Sequence, residues 1–319
     1  MTRTGLISAL AIAAIVGLVF GVAPEFDVTV DVSNFEEVSL QYTRAEYYVR
    51  GEPRKAFLSY LAREVIARLL TTPKDRWVDM LTLLDRMGRE RHLQLGFNNE
   101  TLNALSDEYG FAGGLDGAAA DYVLIADTSV NSTKLNLILE TSAELAVKLT
   151  ADGMAQSSLV YSVRNPFPEW QAGRDPELVQ ALMLTGIYGC YLRIYVPEQA
   201  RLRHVTLSGR GAGPEQMSQE FGLAVFGRYF RVKPGEEESV GFEYESRDVV
   251  VRDGEAYVYT LELRKQAGTD ALPVDLSISL PQGAELMSAT VDGKAVSGTA
   301  IKTDLREDRW VEVRFRLPS

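Results

Sequence analysis

IYGCYLRIYVPEQARLRHVTLSG, residues 187–209, and EFGLAVFGRYFRVKPGEEESVGFEY, residues 220–244, decide the fold class of this 319-residue chain. Between Tyr188 and Val196, β-branched or aromatic residues stand at nearly every second position, a composition that suits a pleated, half-buried surface. Pro197 closes the run, because it has no N–H to give to a ladder. Gly222 to Val232 is a second such run. Pro234-Gly235 then supplies the fixed φ of one turn position and the permissive φ of the next, and returns the chain into Ser239 to Tyr244.

The same period of two extends on both sides. Toward the N-terminus, Leu145, Val147 and Leu149 alternate up to a turn at Ala151 to Met154, and Leu159, Tyr161 and Val163 alternate away from it. Toward the C-terminus, Tyr257 to Leu263, Val274 to Leu280, Leu286 to Val291 and Trp310 to Leu317 continue it, punctuated by Pro273, Pro281 and Asp292-Gly293. The pattern predicts an antiparallel β-sandwich over residues 128–319, as one sandwich or two smaller ones in series.

Residues 25–127 read as a small α/β region. Phe26 to Val32 alternates like a half-buried strand. Pro53 suits a first helical position, and Phe57, Leu58, Leu61, Val65, Ile66, Leu69 and Leu70 recur at helical spacing. Thr72-Pro73 restarts the pattern, with Thr72 as the cap and Trp77, Met80, Leu81 and Leu84 as the next stripe. The two stripes predict a helical hairpin with its apolar residues in a core. Leu93 to Phe97 reads as a short strand, and Asn98 or Asn99 as the cap of a helix running through Tyr109. The glycine-rich stretch Gly110 to Gly117 has no Lys-Ser/Thr after it and precedes a strand, Tyr122 to Ala126, so it reads as a loop and not a phosphate cradle. The whole is α+β.

Gly5 to Ala23 is apolar and uncharged, 19 residues that as a helix would reach roughly 28 Å, close to a bilayer's hydrocarbon thickness. Pro24 fits poorly after the only small-residue cleavage site, Gly21-Val22-Ala23. The stretch therefore reads as a retained single-pass transmembrane helix. Arg3 before it and acidic residues after it place the N-terminus in the cytoplasm and the bulk outside.

The net charge of −11 disfavours nucleic acid as a partner. Cys190 is the sole cysteine, which forbids an intrachain disulfide and reads as a small buried hydrophobe. His92 and His204 are the only imidazoles, so a structural zinc site is not expected, and no cofactor is. Asp116, Asp121 and Asp127 could supply oxygens to a hard cation, but their spacing matches no compact loop, and they read better as turn-forming or strand-flanking residues.

Several phrases resemble the bacterial domain-of-unknown-function family 4012. They are Glu46-Tyr47 with Pro53 to Phe57, Asp121 to Leu124, Asn131 with Lys134, Tyr191 to Pro197, Val232 to Glu236 and Lys265 to Thr269. The resemblance spans about Gln41 to Leu280 and covers the second half of that family's extracytoplasmic region. It implies a cell-envelope protein of unassigned activity.

Two functional expectations follow. The first is a non-enzymatic, membrane-anchored envelope protein that binds or scaffolds surface polysaccharide or another envelope protein. The second rests on YTRAEYYVRGEPRKAF, residues 42–57, where Arg44, Arg50, Arg54 and Lys55 bracket a tyrosine-rich segment, the three arginines being the candidate ligand-binding residues. That arrangement resembles the arginine-bearing segment of the LytR-CpsA-Psr phosphotransferases, which act on lipid-linked glycopolymers; guanidinium forks grip phosphate oxygens bidentately. In the first expectation the same arginines are solvated surface residues.

Overall fold

A computed structural model describes residues 20–23, 28–30, 56–115, 119–131, 133–174 and 185–318, with the isolated positions 176 and 179. The chain divides into two units, residues 1–112 with 173–185 and 268–270, and residues 113–172 with 186–267 and 271–319.

The first unit holds a strand pair, β1 (Phe20–Ala23) and β2 (Val28–Val30), antiparallel. The last four residues of the expected transmembrane helix are thus strand, and residues 5–19 lie outside the described set. Among the described residues no helix is long and apolar enough to cross a membrane.

Three helices follow, α1 (Ala56–Leu70), α2 (Trp77–Arg89) and α3 (Glu100–Glu108). Asn99 caps α3, its side chain accepting from the Leu102 N–H at 3.0 Å. Thr72 does not cap α2. Its hydroxyl donates backward to the Arg68 carbonyl at 3.0 Å, and the 3-10 turn Lys74–Arg76 intervenes. Back-bonding of this kind serves the orphan carbonyls at the end of α1, which compete with the N–H groups of the next helix for the same hydroxyl.

Leu93 to Phe97 is not a strand. Its backbone is satisfied locally: Leu95 N–H donates to the Phe111 carbonyl, and the Asn103 side chain takes both the N–H and the C=O of Phe97. The apolar stripes also divide. Val65, Leu69, Met80 and Leu84 are half-buried and Ile66, Leu70, Trp77 and Leu81 exposed, while the buried residues of α2, Leu83 and Met87, lie outside the named stripe, so the stripes are not core as their periodicity suggested.

The second unit is a sandwich of two mixed sheets. Its strands are β3 (Asp121–Ser129), β4 (Glu140–Leu149), β5 (Ala155–Arg164), β6 (Tyr188–Pro197), β7 (Arg201–Leu207), β8 (Arg210–Ala212), β9 (Gln216–Glu220), β10 (Leu223–Val232) and β11 (Glu237–Ser246). They continue with β12 (Val250–Asp253), β13 (Ala256–Arg264), β14 (Pro273–Ser279), β15 (Glu285–Val291), β16 (Lys294–Ala295), β17 (Ala300–Asp304) and β18 (Arg309–Arg316). A short helix, α4 (Phe167–Gln171), sits between β5 and β6. The first sheet runs β16-β15-β18-β13-β3-β6-β10-β9, with β12 beside β13; the second runs β17-β14-β4-β5-β11-β7-β8.

The turns fall where the sequence places them. Pro234-Gly235 joins β10 to β11 with Gly235 at φ 76, and Asp292-Gly293 joins β15 to β16 with both residues at positive φ. Two features correct the sequence reading. The pairs β3·β13 and β4·β14 are parallel, so the sheets are mixed. Each of these parallel pairs joins the later strands to the earlier ones within one sheet, which makes one sandwich and not two in series. The boundary expected at residue 127 cuts through β3, an interior strand of the first sheet flanked by β13 and β6.

Alternation on β3 sends Asp121, Val123, Ile125 and Asp127 toward the second sheet. The filling between the sheets is apolar and aromatic: Ile194, Phe226, Leu261 and Val313 come from the first sheet, and Leu145, Leu159 and Phe242 from the second. Phe226 and Tyr244 meet across it with ring centroids 6.4 Å apart.

Candidate functional site

Two carboxylates enter that apolar interior from one strand. Asp127 is held by three donors. The Tyr161 hydroxyl, from the opposite sheet, donates at 2.8 Å, the Cys190 thiol donates at 3.1 Å, and the Tyr188 hydroxyl donates to the same oxygen as the thiol. The Asp127 backbone is clamped as well, its N–H to the Gln266 side-chain oxygen and its C=O from the Gln266 amide, both at 2.8 Å. Burial first, and then the Asp127 charge, push the Tyr161, Tyr188 and Cys190 protons toward staying in place. Cys190 is therefore buried, as its strand position predicted, and a poor nucleophile.

Asp121, at the other end of β3, is fully buried. It accepts from the Tyr259 hydroxyl at 2.7 Å and from the Tyr122 N–H at 3.0 Å. Desolvation raises its carboxyl to about 6 against those donors. Across the interior stand Tyr244 and Ser246 of β11 and Ser157 of β5. Ser246 faces Asp121 and Ser157 faces Tyr244, yet all three hydroxyl oxygens lack a hydrogen bond of acceptable geometry. Such orphaned buried groups are uncommon and call for an explanation.

On the outer face of the second sheet, above Ser157 and Tyr244, lies an open groove of about 440 Å³. Lys148 of β4, Gln156 and Ser158 of β5, Glu243 and Glu245 of β11, Arg203 of β7 and Ser279 of β14 supply its polar wall. A β-bulge builds one side of it. His204 pairs with Glu243 and Leu202 with Tyr244, which leaves Arg203 as the extra residue. The Arg203 guanidinium grips Glu245, and that hydrogen bond holds the Glu245 carboxyl below its usual range. Two basic and two acidic side chains thus stand beside an amide and two hydroxyls. The set can donate to and accept from a polar ligand without offering it a net charge.

Of the residues singled out in the sequence, Arg44, Arg50, Arg54 and Asp116 lie outside the described residues. Asp121 and Asp127 do not converge. They are six residues apart on one strand, roughly 20 Å, and each serves its own cluster from within β3, where the sequence reads them as turn-forming or strand-flanking. Among the described residues no group of three or more His, Cys, Asp or Glu side chains is placed to hold a metal ion. The period of two over DYVLIAD, residues 121–127, already put both carboxylates on the Val123 and Ile125 face; Asp121 is fully buried there and Asp127 half-buried.

No family model matches the sequence, and no characterised protein matches it at the level of sequence. Among solved structures, a protein of Legionella pneumophila provisionally assigned to nutrient binding aligns at 6% identity and TM-score 0.32, over 60% of this chain and 70% of that one. Yeast leukotriene A4 hydrolase with bestatin aligns at 6% identity and TM-score 0.28, over 55% of this chain and 28% of that one. An M1 zinc metallopeptidase of Deinococcus radiodurans aligns at 9% identity and TM-score 0.26, over 56% and 42%. The chain spans less than half the length of the latter two structures, and likenesses of this order carry no argument about activity.

Proposed function

We propose that this is an extracytoplasmic cell-envelope protein, tethered through its apolar N-terminal segment, that binds surface polysaccharide on the outer face of its second sheet. The observation that carries the reading is the self-neutralising groove built by Arg203, Glu245, Glu243, Lys148, Gln156 and Ser158. Saccharide hydroxyls are uncharged and both donate and accept. A wall of planar amide, carboxylate and guanidinium groups matches them bond for bond, and its balanced charges neither attract nor repel them at long range. Open clefts of this kind admit an extended chain where an enclosed pocket admits only a small molecule.

Affinity electrophoresis through gels containing defined soluble neutral polysaccharides tests it. At least one polymer should retard the protein, and Gln156→Ala with Arg203→Ala should abolish the retardation while the variant unfolds at nearly the parent's temperature. Retardation by none of them, or retardation unchanged in the double variant, contradicts the reading. Tethering is tested by mass spectrometry of the N-terminus after fractionation; a soluble species beginning at Pro24 or later contradicts it.

A further inference from the structure

The Asp121 cluster lies behind the groove and shares Ser157 and Tyr244 with its floor. Asp121, Ser157, Tyr244 and Ser246 each expose 4% of their surface or less. No basic side chain among the described residues pairs with Asp121; its bonded partners are the Tyr259 hydroxyl and the Tyr122 N–H, with the Ser246 hydroxyl facing it short of a well-formed bond. An ionised carboxylate without a countercharge in such a place costs several kcal/mol after relaxation. The neighbouring oxygens of Ser157, Tyr244 and Ser246 are likewise unsatisfied. An uncompensated negative charge and three unused oxygens, drawn from three strands across the two sheets, share one chemical remedy.

We infer that Asp121, Ser157, Ser246 and Tyr244 form a buried binding site for a monovalent alkali cation. Hard cations take oxygen ligands, and hydroxyl and carboxylate oxygens are the kinds present. The charge of the cluster selects the valence. One carboxylate neutralises one positive charge, whereas a divalent ion would leave a net charge in the apolar interior. The Tyr259 hydroxyl and Tyr122 N–H occupy one lone pair on each Asp121 oxygen, and the remaining lone pairs are free to coordinate. The cation would brace β3 against β5 and β11, two of the strands that form the wall of the groove. The inference does not depend on the groove's ligand.

Thermal unfolding of the full chain at pH 7.5 in sodium, potassium or choline chloride at equal ionic strength tests it. Binding to the native state alone stabilises by mass action. The parent should melt about 3 °C or more higher in sodium or potassium than in choline, and the better of the two identifies the ion. Asp121→Asn should remove the difference. If that variant does not fold, Ser246→Ala and Tyr244→Phe, which delete only unpartnered hydroxyls, should shrink it. Equal melting temperatures in all three salts overturn the inference, as does a sodium or potassium effect that persists undiminished in Ser246→Ala and Tyr244→Phe.

Discussion

The two ends of β3 set the same residue type in the same strand, on the same face, under the same two sheets, with opposite outcomes. At Asp127 three side-chain donors converge and fill three of the carboxylate's roughly four acceptor sites. At Asp121 two donors make well-formed bonds, and the Ser246 hydroxyl that faces it, like the Ser157 and Tyr244 hydroxyls that face each other, falls short of one. Facing the interior therefore does not by itself define a carboxylate's role. The count of satisfied partners does: the Asp127 end is a closed latch between the sheets, and the Asp121 end has coordination to spare beneath the groove. Polar groups inside a protein are costly only when left unmatched.

Asp127→Ala should give the largest effect. It leaves the Tyr161 and Tyr188 hydroxyls and the Cys190 thiol without an acceptor, and should cost about 3 kcal/mol or more. Urea unfolding would show it as a lowered midpoint at unchanged slope. A loss under about 1 kcal/mol would mean that the latch is not closed as described.

Next is pH. The Asp121 carboxyl is raised from 3.8 to about 6, so the folded state holds its proton more tightly than the unfolded chain does. The stability it contributes is fully present below about pH 4 and is lost as pH rises through about 6. A shift of that size corresponds to about 3 kcal/mol at most. The groups facing it are Tyr244 and Tyr259, which stay protonated throughout. In alkali-free buffer, Asp121→Asn should be flatter than the parent between pH 4 and 6.5, and parallel profiles would contradict the assignment.

Tyrosine-to-phenylalanine changes sharpen the contrast with smaller effects. Tyr161→Phe removes a made bond to Asp127 and should destabilise by about 1–2 kcal/mol. Tyr244→Phe removes an unmade one and, in choline buffer, should lie within about 0.5 kcal/mol of the parent or be more stable. Equal losses at both positions would erase the distinction between the two ends.

The sequence exposed the elements better than their arrangement. Local chemistry was legible: the Pro234-Gly235 turn, the Asn99 cap, the hairpin between Leu145 and Val163 and the burial of Cys190 all depend on residues close together in the chain. Strand partners were not, because a period of two assigns faces but leaves neighbours and directions open, and so the parallel pairs β3·β13 and β4·β14 stayed hidden. The bulge that turns Arg203 outward is invisible in RLRHVTL, since one extra residue alters no composition. The groove likewise assembles from four strands, β4, β5, β11 and β7, with Ser279 of β14 at its rim, and no local motif announces it. Helical periodicity overstated burial at Ile66, Leu70, Trp77 and Leu81, because a stripe shows which residues share a face and not whether something covers it.

The most direct measurement is the carbon-detected NMR titration of the Asp121 side-chain carboxyl, with Asp121→Asn to assign the signal, in choline and in sodium or potassium chloride. In choline the carboxyl should titrate near 6, and in the favoured alkali salt its midpoint should fall, because cation and proton compete for the same oxygens. A midpoint in the ordinary carboxylate range in choline, or one that is the same in all salts, would contradict the account of Asp121 as the unsatisfied end of β3.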